Sequence, residues 1–188
     1  MPYKPGFIED EMIRIQIEGH SVMQSFLKTR GVIPALCEDA LNSTEILEEL
    51  KGFDLIVYDS PVSICGVLVA EFLDIPAVEI LPLPPNAGPI GLPHMIPMPL
   101  SYVPQPLTGL TDKMTFLERV MNLGAYLGGL VFLNVAFARP MDALKVKYNI
   151  KPERSFVEAV GAAELVIITA DFALEYPQPL LPGMKSCY

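Results

Sequence analysis

The chain has 188 residues, 51% of them hydrophobic and 19% charged, enough to bury one sizeable core and too apolar to stay disordered. Its net charge of -9 and pI near 4.7 repel phosphate backbones, and no lysine and arginine cluster with interleaved aromatics offsets this, so nucleic acid is excluded as a partner. The three cysteines Cys37, Cys65 and Cys187 are odd in number and widely spaced, which fits neither a disulfide framework nor a zinc site and reads as small buried hydrophobes.

The opening MPYKPGFIEDEMIRIQ lacks the basic start, apolar middle and cleavage site of a secretory signal, so the chain reads as cytosolic or as lacking its true start. Residues 9–30 carry Met12, Ile15, Val22 and Phe26 at helical spacing, and Gly31 is expected to close that helix in a left-handed turn. A second helix is expected from Asn42 to about Gly52, with the Asn42 side chain capping it and Glu45 reaching back. Residues 53–59, FDLIVYD, form a continuous apolar run that predicts a central parallel strand covered on both faces.

Ser60-Pro61 then supplies an N-cap and a first-turn proline for a helix over 62–73, and Asp74-Ile75-Pro76 leads into a strand over 77–81. Strand, helix and strand in this order predict a right-handed βαβ unit. Nine prolines between Pro82 and Pro106 predict a long irregular segment. Residues 111–148 read as helical with a break near Pro140, residues 155–163 as a short helix, and residues 165–169 as a third buried strand. The fold class is α/β with a mostly parallel sheet, which exposes ligand sites at the carboxyl ends of its strands.

Asp59 ends the first strand and is the leading candidate for chemistry on that ground; the competing reading is that it shares helix capping with Ser60. His20 and His94 are the only histidines. The first lies in a helical pattern and the second in a Gly-Leu-Pro-His-Met segment, so neither is a persuasive acid or base. Glu45, Glu48 and Glu49 read as a solvated helix face. No dinucleotide, Walker, zinc-protease, serine-hydrolase or CxxC motif occurs, and no metal site is expected. Residues 120–138 carry no charge, just enough apolar length for a bilayer. Asn122, Asn134, Gly124, Gly128 and Gly129 favour instead a helix packed on the domain and touching a membrane surface, with Gly124-x-x-x-Gly128 a faint pairing hint. Asn42-Ser43-Thr44 is an N-glycosylation sequon that matters only in a lumenal or extracellular compartment.

Three blocks in order carry a family likeness: CEDALNSTEILEELKGFDLIVYDSPVSICG at 37–66, SYVPQPLTGLTDKMTFLERVMN at 101–122 and FALEYPQPLLPGM at 172–184. Together they resemble the UDP-glucuronosyltransferase family, in which a cysteine-bearing helix and a second helix lead to the strand. The resemblance implies a GT-B fold, two Rossmann-like domains facing a cleft, with residues 1–188 as a partial amino-terminal, acceptor-binding domain, a parallel sheet with helices on both faces. The UDP-sugar domain, with its W-x-P-Q and H-x-G motifs, and the terminal transmembrane helix are absent from this sequence, and residues 185–188 depart from the expected glycine-rich continuation.

By the same resemblance Asp59 is the catalytic carboxylate that pairs with a histidine whose position falls before Met1; His20 fails that match because no strand precedes it. The implied activity is transfer of a glucuronosyl or hexosyl group from a UDP-sugar to a hydroxyl of a small lipophilic acceptor, with the apolar segment 81–106 as a wall of the acceptor pocket. The chain is expected to bind no cofactor of its own, UDP-sugar being the co-substrate of the intact enzyme, and to be inactive alone. Implied partners are the acceptor, UDP-sugar through the missing domain, the membrane surface and family members in homo- or hetero-oligomers; the implied location is the lumenal side of the endoplasmic reticulum membrane. The alternative function is a catalytically silent truncated isoform that associates with full-length homologues.

Overall fold

The computed structural model describes residues 31–60, 64–82 and 85–186, so the helix expected over 9–30, His20 and Cys187 lie outside the described residues. Gly31 has right-handed backbone angles (φ -91°, ψ -14°) and stands at the N-cap of α1, Val32–Asn42. It opens a helix and is not in the left-handed conformation expected of it. Helix α1 buries Cys37 and Leu41, spaced four apart on one face. Ser43 is extended (φ -79°, ψ 98°), and its hydroxyl accepts from the Ile46 N–H to cap α2, Thr44–Leu50. The expected cap is thus displaced by one residue. Asn42 ends α1, and its Oδ1 accepts instead from the Tyr148 hydroxyl at 2.8 Å.

The βαβ unit is β1, Ile56–Asp59, α3, Cys65–Leu73, and β2, Ala77–Leu81. Strands β1 and β2 are parallel with Ile56 opposite Ala77 and Asp59 opposite Ile80. Asp74 closes α3 in the left-handed region (φ 56°), a conformation that Asp tolerates better than most residues. Two further parallel strands, β3, Leu165–Ile168, and β4, Met184–Ser186, complete a sheet in the order β1-β2-β3-β4. Three strands were expected; β4 is only three residues long and contains Lys185, so it offered no apolar run to read.

Among the described residues β1 is an edge strand, not a central one. The apolar run that suggested cover on both faces obeys alternation: Tyr58 is buried at 3% exposure and Val57 is 56% exposed. The same holds along the sheet. Tyr58, Glu79, Leu81, Val166, Ile168 and Met184 are the buried strand residues, and the register puts them on one face. Helices α1 and α3 pack over the β1 end of that face in one cluster, while Ile90, Ile96, Leu180 and Leu181 cover Leu81, Val166 and Ile168 in another. Contact between α3 and β1 is close enough that a Cβ on Gly66 would lie 2.5 Å from the Tyr58 Cβ, so only glycine fits there.

The proline-rich segment holds one short helix, α4, Gly88–Gly91, and is fastened to the long helix α5, Phe116–Leu133. Asn122, fully buried, accepts from the Gln105 N–H at 2.6 Å and donates to the carbonyls of Leu100 and Val103, both at 2.9 Å. The Gln105 side chain in turn accepts from the Gly88 N–H at 3.0 Å and donates to the Asn86 carbonyl at 2.7 Å. Every polar atom of both amides is engaged, which is the condition for burying them at no net loss. A Cβ on Gly129 would come within 3.1 Å of Pro89, whereas Gly124 and Gly128 have nothing within 4 Å. Gly129, outside the Gly124-x-x-x-Gly128 pair, is therefore the glycine used in packing.

Helix α5 opens with a Thr115–Glu118 capping box and runs through a π-helical turn, Asn134–Ala138, into α6, Arg139–Lys147. The expected break at Pro140 takes the form of this turn: the extra residue absorbs the missing N–H and the ring's steric demand without ending the helix. Last among the helices, α7, Phe156–Gly161, has a Ser155–Glu158 capping box close to the expected position.

Candidate functional site

Asp59 is the last residue of β1 and is exposed. Pairing continues one step beyond it, because the N–H of buried Ser60 donates to the Ile80 carbonyl at 2.9 Å. The backbone carrying Asp59 is thereby fixed while its carboxylate stays in solvent; among the described residues it has no hydrogen bond or ion pair. Among the described residues the N-cap of α3 is Ile64, with no side-chain cap. Residues 61–63 of the expected helix start lie outside the described residues. At the same end of the sheet, two and three strands away from Asp59, lie Thr169, whose hydroxyl donates to the Leu81 carbonyl at 3.3 Å, and Ser186, whose hydroxyl donates to the Ala170 carbonyl at 3.1 Å.

His94 lies on the other face. Its Nε2 is 3.2 Å from Glu79 Oε2, with both side chains almost wholly buried, and the Tyr58 hydroxyl donates to the same oxygen at 2.9 Å. Burial first, and then the Glu79 charge and hydrogen bond, push the Tyr58 hydroxyl far above its ordinary pKa, so it remains a donor. Because Tyr58 and Glu79 point into the core and Asp59 points away from it, His94 is separated from Asp59 by the sheet itself. It cannot serve as the imidazole partner of that carboxylate.

A second ionic cluster joins helices at the opposite end of the strands. Buried Lys145 on α6 pairs with Glu71 on α3, and Arg154 Nη1 is 3.3 Å from the other Glu71 oxygen. Glu71 and Arg154 border a cleft of about 260 Å³ that is also lined by Asp74, Ala77, Lys151 and Glu164. Ala77 begins β2 and Glu164 precedes β3, so the cleft is at the amino ends of the strands, away from Asp59. Glu45, Glu48 and Glu49 are exposed, with Glu48 paired to Lys51 at 2.5 Å, as a solvated face should be. Among the described residues no three His, Cys, Asp or Glu side chains gather as they would around a metal.

Cys37 and Cys65 form a disulfide with their Cα atoms 5.0 Å apart, which corrects the reading of both as free thiols. Spacing along the chain carries no information about how closely α1 and α3 approach; only their packing brings the two sulfurs together. Along α5 and the π-turn, Phe116, Leu117, Val120, Met121, Leu127, Val131 and Val135 are all exposed. The continuous helix Phe116–Lys147 is long and apolar enough, by length and composition, to cross a membrane.

Comparison with known proteins follows the same lines. The family model described as UDP-glucoronosyl and UDP-glucosyl transferase matches residues 7–187. Similar proteins include UDP-glucuronosyltransferase 1-2 of Rattus norvegicus, 32% identical over 96% of this chain and 33% of its own length. Others are UDP-glucuronosyltransferase 2A3 of Homo sapiens, 32% identical over 85% of this chain and 30% of its own length, and 2-hydroxyacylsphingosine 1-beta-galactosyltransferase of Mus musculus, 31% identical over 79% and 27%. The chain thus spans about a third of the length of the curated relatives it matches. No solved structure matches it.

Proposed function

The chain belongs to the UDP-glucoronosyl and UDP-glucosyl transferase family, and from that premise we propose that these residues form the acceptor side of a glycosyl-transfer site, with Asp59 as the carboxylate that positions a histidine base. The observation that carries this reading is the exposed Asp59, without a partner among the described residues, at the carboxyl end of a parallel strand, where such sheets present groups to ligands. An acceptor hydroxyl is a weak nucleophile near neutral pH. A base takes its proton as the new C–O bond forms at the anomeric carbon and the UDP oxygen leaves. A carboxylate accepting from the far ring N–H fixes the tautomer and stabilises the imidazolium that results.

The donor is a UDP-glucuronic acid or UDP-hexose, in keeping with glucuronosyl and galactosyl transferases among the relatives. The acceptor is a small lipophilic alcohol or phenol, walled by the apolar segment that Asn122 and Gln105 hold against α5. His94 is committed to Glu79, and among the described residues no glycine-rich phosphate loop accompanies the sheet, so on this reading the segment does not turn over substrate by itself and the UDP-sugar is held by other residues. The Cys37–Cys65 disulfide favours an oxidising compartment, which supports the lumenal side of the endoplasmic reticulum. The exposed apolar side of α5 rests on the membrane surface. Its opposite edge is tied to the domain through Asn122, which argues against a helix that leaves the domain to span.

The exposed apolar residues of α5 and of β1 also favour a second reading, a silent partner of longer homologues. Both are tested by measuring UDP-sugar turnover and co-purification with the chain alone and with a longer protein that contains it. Turnover by the chain alone contradicts both; turnover by the longer protein that is insensitive to Asp59→Asn leaves the first without its residue.

A further inference from the structure

The sequon Asn42-Ser43-Thr44 sits where the fold leaves it fully available. Asn42 ends α1, is exposed, and is followed by a residue in extended conformation before α2 begins at Thr44. Its side chain is held by one atom only: Oδ1 accepts from the Tyr148 hydroxyl at 2.8 Å, while Nδ2 has no partner among the described residues. Thr44, whose hydroxyl completes the sequon, is likewise exposed. Five residues along a helix is a rotation of about 140°, so the turn that sends Cys37 into the core sends Asn42 out of it.

Exposure and a three-residue motif alone would be weak, because such motifs arise by chance and stay unmodified in a reducing compartment. The independent observation is the Cys37–Cys65 disulfide, which begins on the same helix. Disulfides persist in the compartments where secretory glycans are attached and are rare in the cytosol. A chain that acquires this bond has passed through an environment that modifies exposed sequons.

We propose that Asn42 is an N-glycosylation site. The reaction uses an oligosaccharide carried on a lipid pyrophosphate: the Asn42 Nδ2 bonds to its anomeric carbon, the bond from that carbon to the pyrophosphate oxygen breaks, the amide loses one proton and the lipid pyrophosphate leaves. The glycan projects from the α1–α2 corner, and Tyr148 keeps its bond to Oδ1, which the linkage does not use. This inference rests on the oxidising-compartment part of the proposed function and not on Asp59.

The test is made on the protein isolated from its own cells. Enzymatic removal of N-glycans is expected to increase its gel mobility by one step and to convert Asn42 to Asp in the peptide mass spectrum. Asn42→Gln and Thr44→Ala each abolish the step, while Thr44→Ser, which preserves the hydroxyl, retains it. An unmodified Asn42 in protein whose Cys37 and Cys65 are oxidised overturns the site and leaves the compartment standing. An unmodified Asn42 with both cysteines reduced overturns both, and leaves glycosyl transfer to be judged by the Asp59 experiment.

Discussion

Tyr58 and Asp59, consecutive in β1, leave the sheet through opposite faces: the Tyr58 hydroxyl is sealed in the core 2.9 Å from Glu79 Oε2, while the Asp59 carboxylate stands in solvent. One strand thus carries two polar groups with separate duties. The inner one stabilises the fold, and the outer one is available to a ligand. Four measurements follow from this division and from the other features of the fold.

Substituting Asp59→Asn in a longer protein containing this segment should lower kcat by at least about 10- to 100-fold, within the usual worth of general-base assistance. Losing the carboxylate also removes the charge that favours the imidazolium, so the acidic limb of the kcat/KM profile should shift to lower pH. Circular dichroism should be unchanged. A purely structural Asp59 would leave that limb in place.

Tyr58 has a folded-state pKa above its unfolded value of about 10. A raised pKa means that its contribution to stability is complete below the unfolded value and is lost as pH rises from there towards the folded one. Urea denaturation of the wild type should therefore weaken progressively above about pH 10, and the difference between wild type and Tyr58→Phe should shrink over that range. A difference that is constant with pH would show that the phenol is not held neutral by its surroundings.

The Cys37–Cys65 bond closes a loop with a sequence separation of 28, for which chain entropy gives a stabilisation of about 3–4 kcal/mol. Cys65→Ser, or reduction of the wild type, should shift the urea midpoint downward accordingly. An unchanged midpoint on reduction would mean that the two thiols are not joined in solution.

Leu127 and Val131 are 52% and 65% exposed on α5. Immersing such a side chain in lipid is worth roughly 1.5–3 kcal/mol, so the double variant Leu127→Asp, Val131→Asp should weaken binding to phosphatidylcholine vesicles by well over tenfold. Alkaline carbonate should extract the wild-type chain. Complete retention in the membrane pellet would identify a true span.

The βαβ core was legible because its signals are local: short apolar runs mark β1, β2 and β3, although they did not show that only one face of the sheet is buried. Asp59 was legible for the same reason, since its place at a strand end follows from the pattern around it. What stayed hidden depends on contacts distant in sequence. Strand β4 has no apolar run and is defined only by pairing with β3. Neither the disulfide nor the Tyr58–Glu79–His94 cluster has a local signature, because each joins elements whose approach is set by packing. Asn122 looked like a flaw in an apolar helix; in the fold it is the residue that binds the proline-rich segment.

That segment is secured at three points: Gly88 through Gln105, His94 through Glu79, and Leu100 and Val103 through Asn122. Inserting or deleting a residue between any two of them would strain the bond between a buried polar group and its partner, so the length of this stretch is expected to stay constant among relatives. The exposed positions between the anchors, Leu92 and Met95, carry no such penalty. Divergence among paralogues should accordingly appear here as exchanges of side chain at constant spacing, a repertoire written by substitution over an unchanging frame.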